Sequence, residues 1–504
     1  MTLVMAIDQG SGSSRALVFD VEAGRGVRAL GQASRPVESL FPADRHVEHD
    51  AEELYETCRD SAVEALEAAG TTWGDIAGIG VTGQTETVVA WDRESGRAVA
   101  PAISWRDQRT SSVMEGLDAD AQRRFVALTG LPFAPTWSAP KVRWILDEEG
   151  SEAAALARRD RLALGDVASW VTYRLSGGAH HVTEPSFASR TGLMNLGTLG
   201  WDPELLAMFD LPASALPLIR PSDDLGAHLT TALVPAATPI VGALGDQQAA
   251  LYGHGGRRAG QAKLTMGTGA FLWTNAGTTA PAAEAGLVAT CAWARRGEEA
   301  VYALEGFLPN AGAVVTWLRS LGLLDADAWP HLDTGTMRGS KVRSLPAIAG
   351  LGTPYWAPHA SARIDGMDSG TSRDEVVQAS ILGVVQLVAD AVDATSEAVP
   401  TETILLDGGM SQNDTIAQAL ADLTGATIQR STEEATAAGM ALLTAHGLGL
   451  LAPAVGSVTH DASFTPSLPP EERAVLRAQW QAFVEQSLGD GLPAGAPAEG
   501  IAAD

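Results

Sequence analysis

Three acidic residues stand where a strand-like run gives way to a turn or helix: Asp8 after Met5-Ala6-Ile7, Asp246 after Pro239 to Gly245, and Asp407 after Ile404-Leu405-Leu406. In α/β layers ligands sit beyond the carboxyl ends of strands, so acids there can hold a cation or take a proton. Asp8 leads into Gly10-Ser11-Gly12-Ser13-Ser14-Arg15, and half a chain later Gly267-Thr268-Gly269 joins Leu264-Thr265-Met266 to Ala270-Phe271-Leu272. Each is an apolar run, a turn of small residues and a second apolar run, the pattern of a β-hairpin with a bare tip. A bare tip lets N–H groups and hydroxyls close on an anion such as phosphate. Two of them suggest two related lobes holding one polyphosphate. Gly408-Gly409 after Asp407 leaves room for a flat ring such as adenine to lie against backbone. Each motif also has a plain structural reading: ordinary hairpins, a helix N-cap at Asp246, and a βα turn at Asp407.

The residues argue against other phosphate-binding devices. Gly10-Ser11-Gly12 begins a dinucleotide fingerprint, but Arg15 stands where its third glycine belongs and the next residues, Ala16 to Asp20, are strand-like rather than helical. The only lysines are Lys141, Lys263 and Lys341, and none lies in a P-loop. The formal net charge of −27 argues against nucleic acid or an anionic membrane as partner. An anionic ligand must therefore be held by local N–H groups, helix N-termini or Mg²⁺. Two cysteines, Cys58 and Cys291, build no disulfide framework, which fits a cytoplasmic location. The first residues show no basic n-region, so no signal peptide is expected, and no apolar run reads as a membrane span.

The elements that must position these residues alternate. Glu52 to Ala69 reads as an amphipathic helix and Ile76 to Val81 as a buried strand; Gln247 to Tyr252, Asn413 to Leu423 and Pro469 to Gln486 read as helices. The expected organisation is an N-terminal lobe over 1–245, a C-terminal lobe over 246–488 and a disordered tail over 489–504.

In register over nearly the whole chain stand further motifs: Ile103-Ser104-Trp105-Arg106-Asp107, Lys141 to Asp147, Ala188-Ser189-Arg190-Thr191, Gly245-Asp246-Gln247-Gln248, Tyr302-Ala303-Leu304-Glu305-Gly306, Leu351 to Trp356 and Ala438-Gly439-Met440-Ala441. With Asp8 and the two tips they make the chain resemble the FGGY carbohydrate kinases, and among them the glycerol kinases. The resemblance implies an α/β, two-lobed, actin-like ATPase (ribonuclease H-like) fold with the active site in the interlobe cleft. It implies ATP and Mg²⁺, and a homodimer or homotetramer. By position it makes Asp246 the base that deprotonates the attacking hydroxyl and Asp8 the organiser of Mg²⁺. Ser11, Gly12, Ser13 and Arg15, with Gly267 and Thr268, would line the phosphate path. Gly408, Gly409 and Asn413 would hold the adenosine, with Asn310 and Thr316 near it. Thr85, Glu86, Trp105, Thr136, Gln247 and Phe271, with Asp246, would face the acceptor.

The chain departs from the glycerol-kinase pattern at the acceptor. Gly83-Gln84-Thr85-Glu86-Thr87 keeps the glutamate, but Thr85 replaces the arginine that pairs with it, and Thr136 falls where a tyrosine contacts the polyol. Losing a charged hydrogen bond costs about 1.5–3 kcal/mol. The expectation is a cation-poor, enlarged pocket for a four- or five-carbon polyol or a ketose, the alternative being a divergent glycerol kinase. Thr230 to Thr238 lacks the Gly/Arg-rich loop that binds a sugar bisphosphate in regulated relatives. A silent sugar-sensing module and a phosphatase or ATPase are the rival classes. The surviving Asp246 weighs against the first, and the polyol-type pocket residues weigh against the second.

Overall fold

The computed structural model describes residues 1–229, 238–284, 286–325, 332 and 340–489. Of the stretch 230–238 only Thr238 is described, and the tail from 490 onward lies outside.

Two mixed sheets form the two lobes. The first contains β1 (Leu3–Gln9), β2 (Ser13–Glu22), β3 (Gly26–Pro36), β4 (Ile76–Gly83), β5 (Ala227–Leu229) and β6 (Thr238–Gly245), in spatial order β5-β6-β4-β1-β2-β3. The second contains β7 (Gln261–Met266), β8 (Ala270–Gly277), β9 (Val288–Trp293), β10 (Val301–Leu308), β11 (Thr403–Asp407), β12 (Thr427–Arg430) and β13 (Ala462–Phe464), in order β9-β10-β8-β7-β11-β12-β13. Their centres repeat one plan. β1 pairs antiparallel with β2 and parallel with β4, as β7 pairs antiparallel with β8 and parallel with β11. The registers place Asp8 opposite Arg15 and Thr265 opposite Phe271, one pair below each tip.

Helices cover the sheets: α1 (Ala51–Ala69), α2 (Ser138–Asp147), α3 (Pro185–Ala188), α4 (Asp246–Gly253), α5 (Gly312–Ser320), α6 (Arg373–Ala398), α7 (Asp414–Thr424), α8 (Ala435–Gly447) and α9 (Pro470–Leu488). Local chemistry sets their ends. The Asp50 side chain accepts from Glu52 N–H to start α1, and Gly70 ends it in the left-handed region at φ 65°. α6 opens with a Ser372/Glu375 capping box.

Among the described residues α6 is the one helix long and apolar enough to cross a membrane, with mean hydropathy 1.5 over its best window, and that window is 83% buried. It is the core helix of the second lobe, packed among Leu264, Leu308, Leu406 and Trp480. Its buried Asp390 accepts from Tyr355 Oη at 2.9 Å and Trp480 Nε1 at 2.7 Å, and pairs with Arg477.

α4 and α8 lie between the lobes. α8 comes from the C-terminal half yet packs on β4, β1 and β6 of the first sheet. One apolar cluster takes Val4, Ala6 and Leu244 from the first sheet, Trp273 and Ala303 from the second, and Met440 and Leu443 from α8. The two helices cross through glycine: a Cβ on Gly439 would stand 1.8 Å from the Ala249 carbonyl, and one on Gly253 2.1 Å from that of Ala435.

Candidate active site

The cleft floor begins at the first tip. Gly10 N–H closes the turn on Ser13 carbonyl at 2.9 Å. Below it Arg15 Nη2 donates to Asp8 Oδ2 at 2.5 Å and reaches Glu434 Oε1, at the N-cap of α8, at 3.5 Å. Burial raises the Asp8 carboxyl above the ordinary carboxylate range, against the opposing pull of Arg15. Gly12 is open, and a Cβ there would meet nothing within 4 Å.

Asp246 opens α4 at the carboxyl end of β6, half-buried, with Oδ1 accepting from Gln247 N–H at 2.7 Å. Burial pushes its carboxyl up to about 7, the Asp8 carboxylate adding to the effect. A carboxyl at that value is a base matched to neutral pH. Gln247 is fixed from β7 of the second sheet, since Lys263 Nζ donates to its Oε1 at 2.7 Å.

The second tip rests on the start of α5. Gly312 N–H donates to Gly267 carbonyl at 2.8 Å and Ala313 N–H to Thr268 carbonyl at 2.9 Å. Gly408 has φ 93°, and a Cβ there would stand 2.5 Å from Met266 carbonyl oxygen, so no side chain fits. Gly409 faces open space. Asn413 caps α7, its Oδ1 accepting from Thr415 N–H at 2.9 Å. These residues form a bare ledge beside the second tip. Asn310 is directed elsewhere: its Nδ2 donates to Gly350 carbonyl at 2.5 Å and its Oδ1 accepts from Ala349 N–H at 2.9 Å, so its amide holds the 349–350 turn. Thr316 is exposed on α5 and bonds back to Gly312 carbonyl at 3.3 Å.

A cavity of about 190 Å³ lies between the lobes, and Ser11, Thr85, Glu86, Trp105, Thr136, Asp246, Gln247 and Phe271 all line it. Phe271 packs at a tilt against Phe307, ring centroids 5.0 Å apart and planes at 40°, as an apolar wall. Glu86 sits in a γ-turn: its φ is 62°, and Thr87 N–H donates to Thr85 carbonyl at 2.8 Å. Such strain costs about 1–3 kcal/mol and persists only where the surroundings enforce it.

The expected loss of a cation beside Glu86 is not what the structure has. Arg190, just beyond the end of α3, donates through Nε to Glu86 Oε1 at 2.5 Å and pairs through Nη1 with Glu305 Oε2, on β10, at 2.7 Å. Its guanidinium lies 5.0 Å from the Trp137 ring centroid and 5.4 Å from that of Trp273. Thr85 supplies only a neutral hydrogen bond, Oγ1 to Glu86 Oε2 at 2.8 Å. Thr136 Oγ1 turns to Trp105 carbonyl at 2.9 Å.

The N-terminal-domain model of the FGGY family of carbohydrate kinases matches residues 3–253, and the C-terminal-domain model matches 262–448. The chain belongs to that family. It is a carbohydrate kinase with the two-domain, actin-like ATPase fold. It is 40% identical over 495 residues to a glycerol kinase of Alkalilimnicola ehrlichii, covering 97% of this chain and 99% of that one. A glycerol kinase of Thermus brockianus is 38% identical with the same coverage. Among solved structures the glycerol kinase of Plasmodium falciparum with ADP superposes with TM-score 0.87 at 27% identity, over 97% of this chain and 99% of that one. A xylulose kinase of Brucella ovis, at 23% identity and TM-score 0.84 over 97% of this chain and 100% of that one, shares the fold.

In this kinase sequence reasoning gave no role to Arg190, Glu305, Trp137 or Trp273. Ala188-Ser189-Arg190-Thr191 and Tyr302 to Gly306 were visible as motifs. Glu86 and Arg190 lie 104 residues apart, however, and no local spacing joins them.

Proposed function

We propose that the protein transfers the γ-phosphoryl group of ATP to a terminal hydroxyl of a small polyol or sugar with a four- or five-carbon chain. The observation that carries this reading is the cavity: it runs to Asp246, Glu86 and Arg190 mark its polar side, and Thr85 and Thr136 leave space where longer side chains would stand.

The acceptor hydroxyl lies against Asp246, whose carboxylate takes its proton as the oxygen attacks the γ-phosphorus. The new O–P bond forms, the bond to the β–γ bridging oxygen breaks, and ADP leaves. The chain supplies positioning and charge neutralisation, which is most of what phosphoryl transfer needs. Ser11, Gly12 and Ser13 on one side and Gly267 and Thr268 on the other cradle the phosphates, and Gly408, Gly409 and Asn413 make the adenosine ledge. Among the described residues no three His, Cys, Asp or Glu side chains converge as a metal cage. Mg²⁺ keeps several waters and uses one or two carboxylates with the substrate phosphates. Asp8 would be the carboxylate that holds it, and there the ion would neutralise charge on the transferring group.

A second reading has one specific observation behind it: Arg190 returns a cation to Glu86, so three-carbon glycerol could be gripped by a rebuilt site. Replacing Thr85 by Arg and Thr136 by Tyr separates the two. On the larger-acceptor reading the double variant gains about tenfold in kcat/KM for glycerol, about 1.4 kcal/mol of transition-state binding. No gain for glycerol would sink the pocket argument.

A further inference from the structure

Lys141, on α2, is fully buried, and its ammonium points at neither phosphate tip. Nζ donates to Thr136 carbonyl at 2.5 Å and to Glu86 carbonyl at 3.2 Å. Ser138 Oγ, from the first turn of the same helix, donates to that Glu86 carbonyl at 3.2 Å. The Glu86 oxygen is thus gripped twice from α2, at a pocket residue whose backbone is held at φ 62° in a γ-turn.

The grip continues through the pocket wall. Thr136 Oγ1 donates to Trp105 carbonyl at 2.9 Å, and Trp105 N–H to Thr87 Oγ1 at 3.0 Å. Thr87 Oγ1 donates to Gln84 Oε1 at 2.8 Å, Gln84 Nε2 to Gln9 Oε1 at 3.0 Å, and Gln9 Nε2 to Gly10 carbonyl at 2.8 Å. An unbroken chain of hydrogen bonds therefore runs from α2, past the acceptor wall, to the first phosphate tip. Lys141 is the only lysine in it, and burying an ammonium is costly unless it is hydrogen-bonded, as it is here to two carbonyls. Burial pushes that ammonium down to about 7, with the Glu86 and Asp107 carboxylates opposing and Arg109 adding to the fall.

We propose that Lys141 is a positioning residue: through the carbonyls of Glu86 and Thr136 it holds two walls of the acceptor pocket at a fixed separation. The proposal rests on the kinase reading of that pocket. Lys141 touches neither acceptor nor nucleotide; it decides where the Glu86 carboxylate and the Thr136 side chain stand.

The experiment compares full-length wild type, Lys141→Met and Ser138→Ala in steady state, with the best acceptor and with Mg-ATP varied in turn. Lys141→Met is expected to raise the acceptor KM about tenfold, lower kcat less than threefold and leave the ATP KM unchanged; Ser138→Ala, keeping one donor on Glu86, raises the acceptor KM by about threefold. A merely structural lysine would lower kcat with the folded fraction and move neither KM. The thermal shift caused by the acceptor alone should shrink in parallel. Should Lys141→Met fail to fold, Ser138→Ala and Lys141→Arg carry the same comparison. An unchanged acceptor KM in the folded variants overturns the proposal and leaves the kinase reading intact. No ADP release by wild type with any acceptor overturns the reading itself, and the proposal with it.

Discussion

Asp246 has to be a carboxylate to take the hydroxyl proton, and burial holds it up near 7. Activity limited by the acceptor should therefore fall about tenfold per pH unit below that value and level off above it, which a kcat/KM profile from pH 5.5 to 9 reads directly. The same shift has a stability consequence. A carboxyl raised in the folded state binds its proton more tightly there than in the unfolded chain. The folded state thus loses stability as pH rises from the unfolded value of about 4 towards 7. Asp246→Asn should abolish that loss: a melting temperature above wild type at pH 8, converging with it near pH 4, beside a fall in kcat of about 10²–10⁴. Equal melting temperatures at pH 8 would contradict the buried, charged base. The identity of this residue was legible from a strand, a glycine and an acid. Its environment was not, because the Asp8 carboxylate that adds to the shift is 238 residues away by the numbering. The charge balance of Glu86 was misread for the same reason, its partner Arg190 arriving from a distant segment.

At the scale of elements, the strands were legible because their apolar runs are short and end on recognisable turns. Ile76–Gly83 and Thr238–Gly245 extend the expected strands by one or two residues. The place of α8 was not legible. Ala435–Gly447 is buried nearly all round, so no amphipathic face announces which sheet it covers. Its position depends on Gly439 meeting Ala249 and Gly253 of α4. Small residues stand there because the backbones approach closely, and an added side chain cannot be relieved by rotamer changes when its neighbour is main chain. Gly439→Val should cost at least about 1–3 kcal/mol of overpacking, seen as a lowered denaturation midpoint. It should also weaken Mg-ATP and acceptor binding together, since α4 and α8 carry Asp246 and Glu434 at their N-terminal ends. A variant as stable as wild type would mean that the crossing is looser than the backbone distances indicate.

The whole molecule is two repeats of one sheet plan facing across a cleft. Arg190 to Glu305 ties the lobes at the acceptor cavity, Lys263 holds Gln247 of α4 there, and Arg295 to Asp223 is a further pair across the lobe boundary. The duplication was visible in the two bare tips. The cross-lobe pairs were not, because they join side chains whose only common feature is the cleft. Closure of the lobes around both substrates would exclude water from the transferring phosphoryl group, so ADP release should depend on an acceptor. The most direct test is ADP release from Mg-ATP with glycerol, erythritol, both threitols, pentitols, xylulose, ribulose and dihydroxyacetone, beside a blank without acceptor. The account predicts a near-silent blank and a tetritol, pentitol or ketose well ahead of glycerol in kcat/KM. Glycerol ahead of every longer acceptor would contradict the enlarged pocket, and release in the blank equal to the rest would contradict transfer to a hydroxyl.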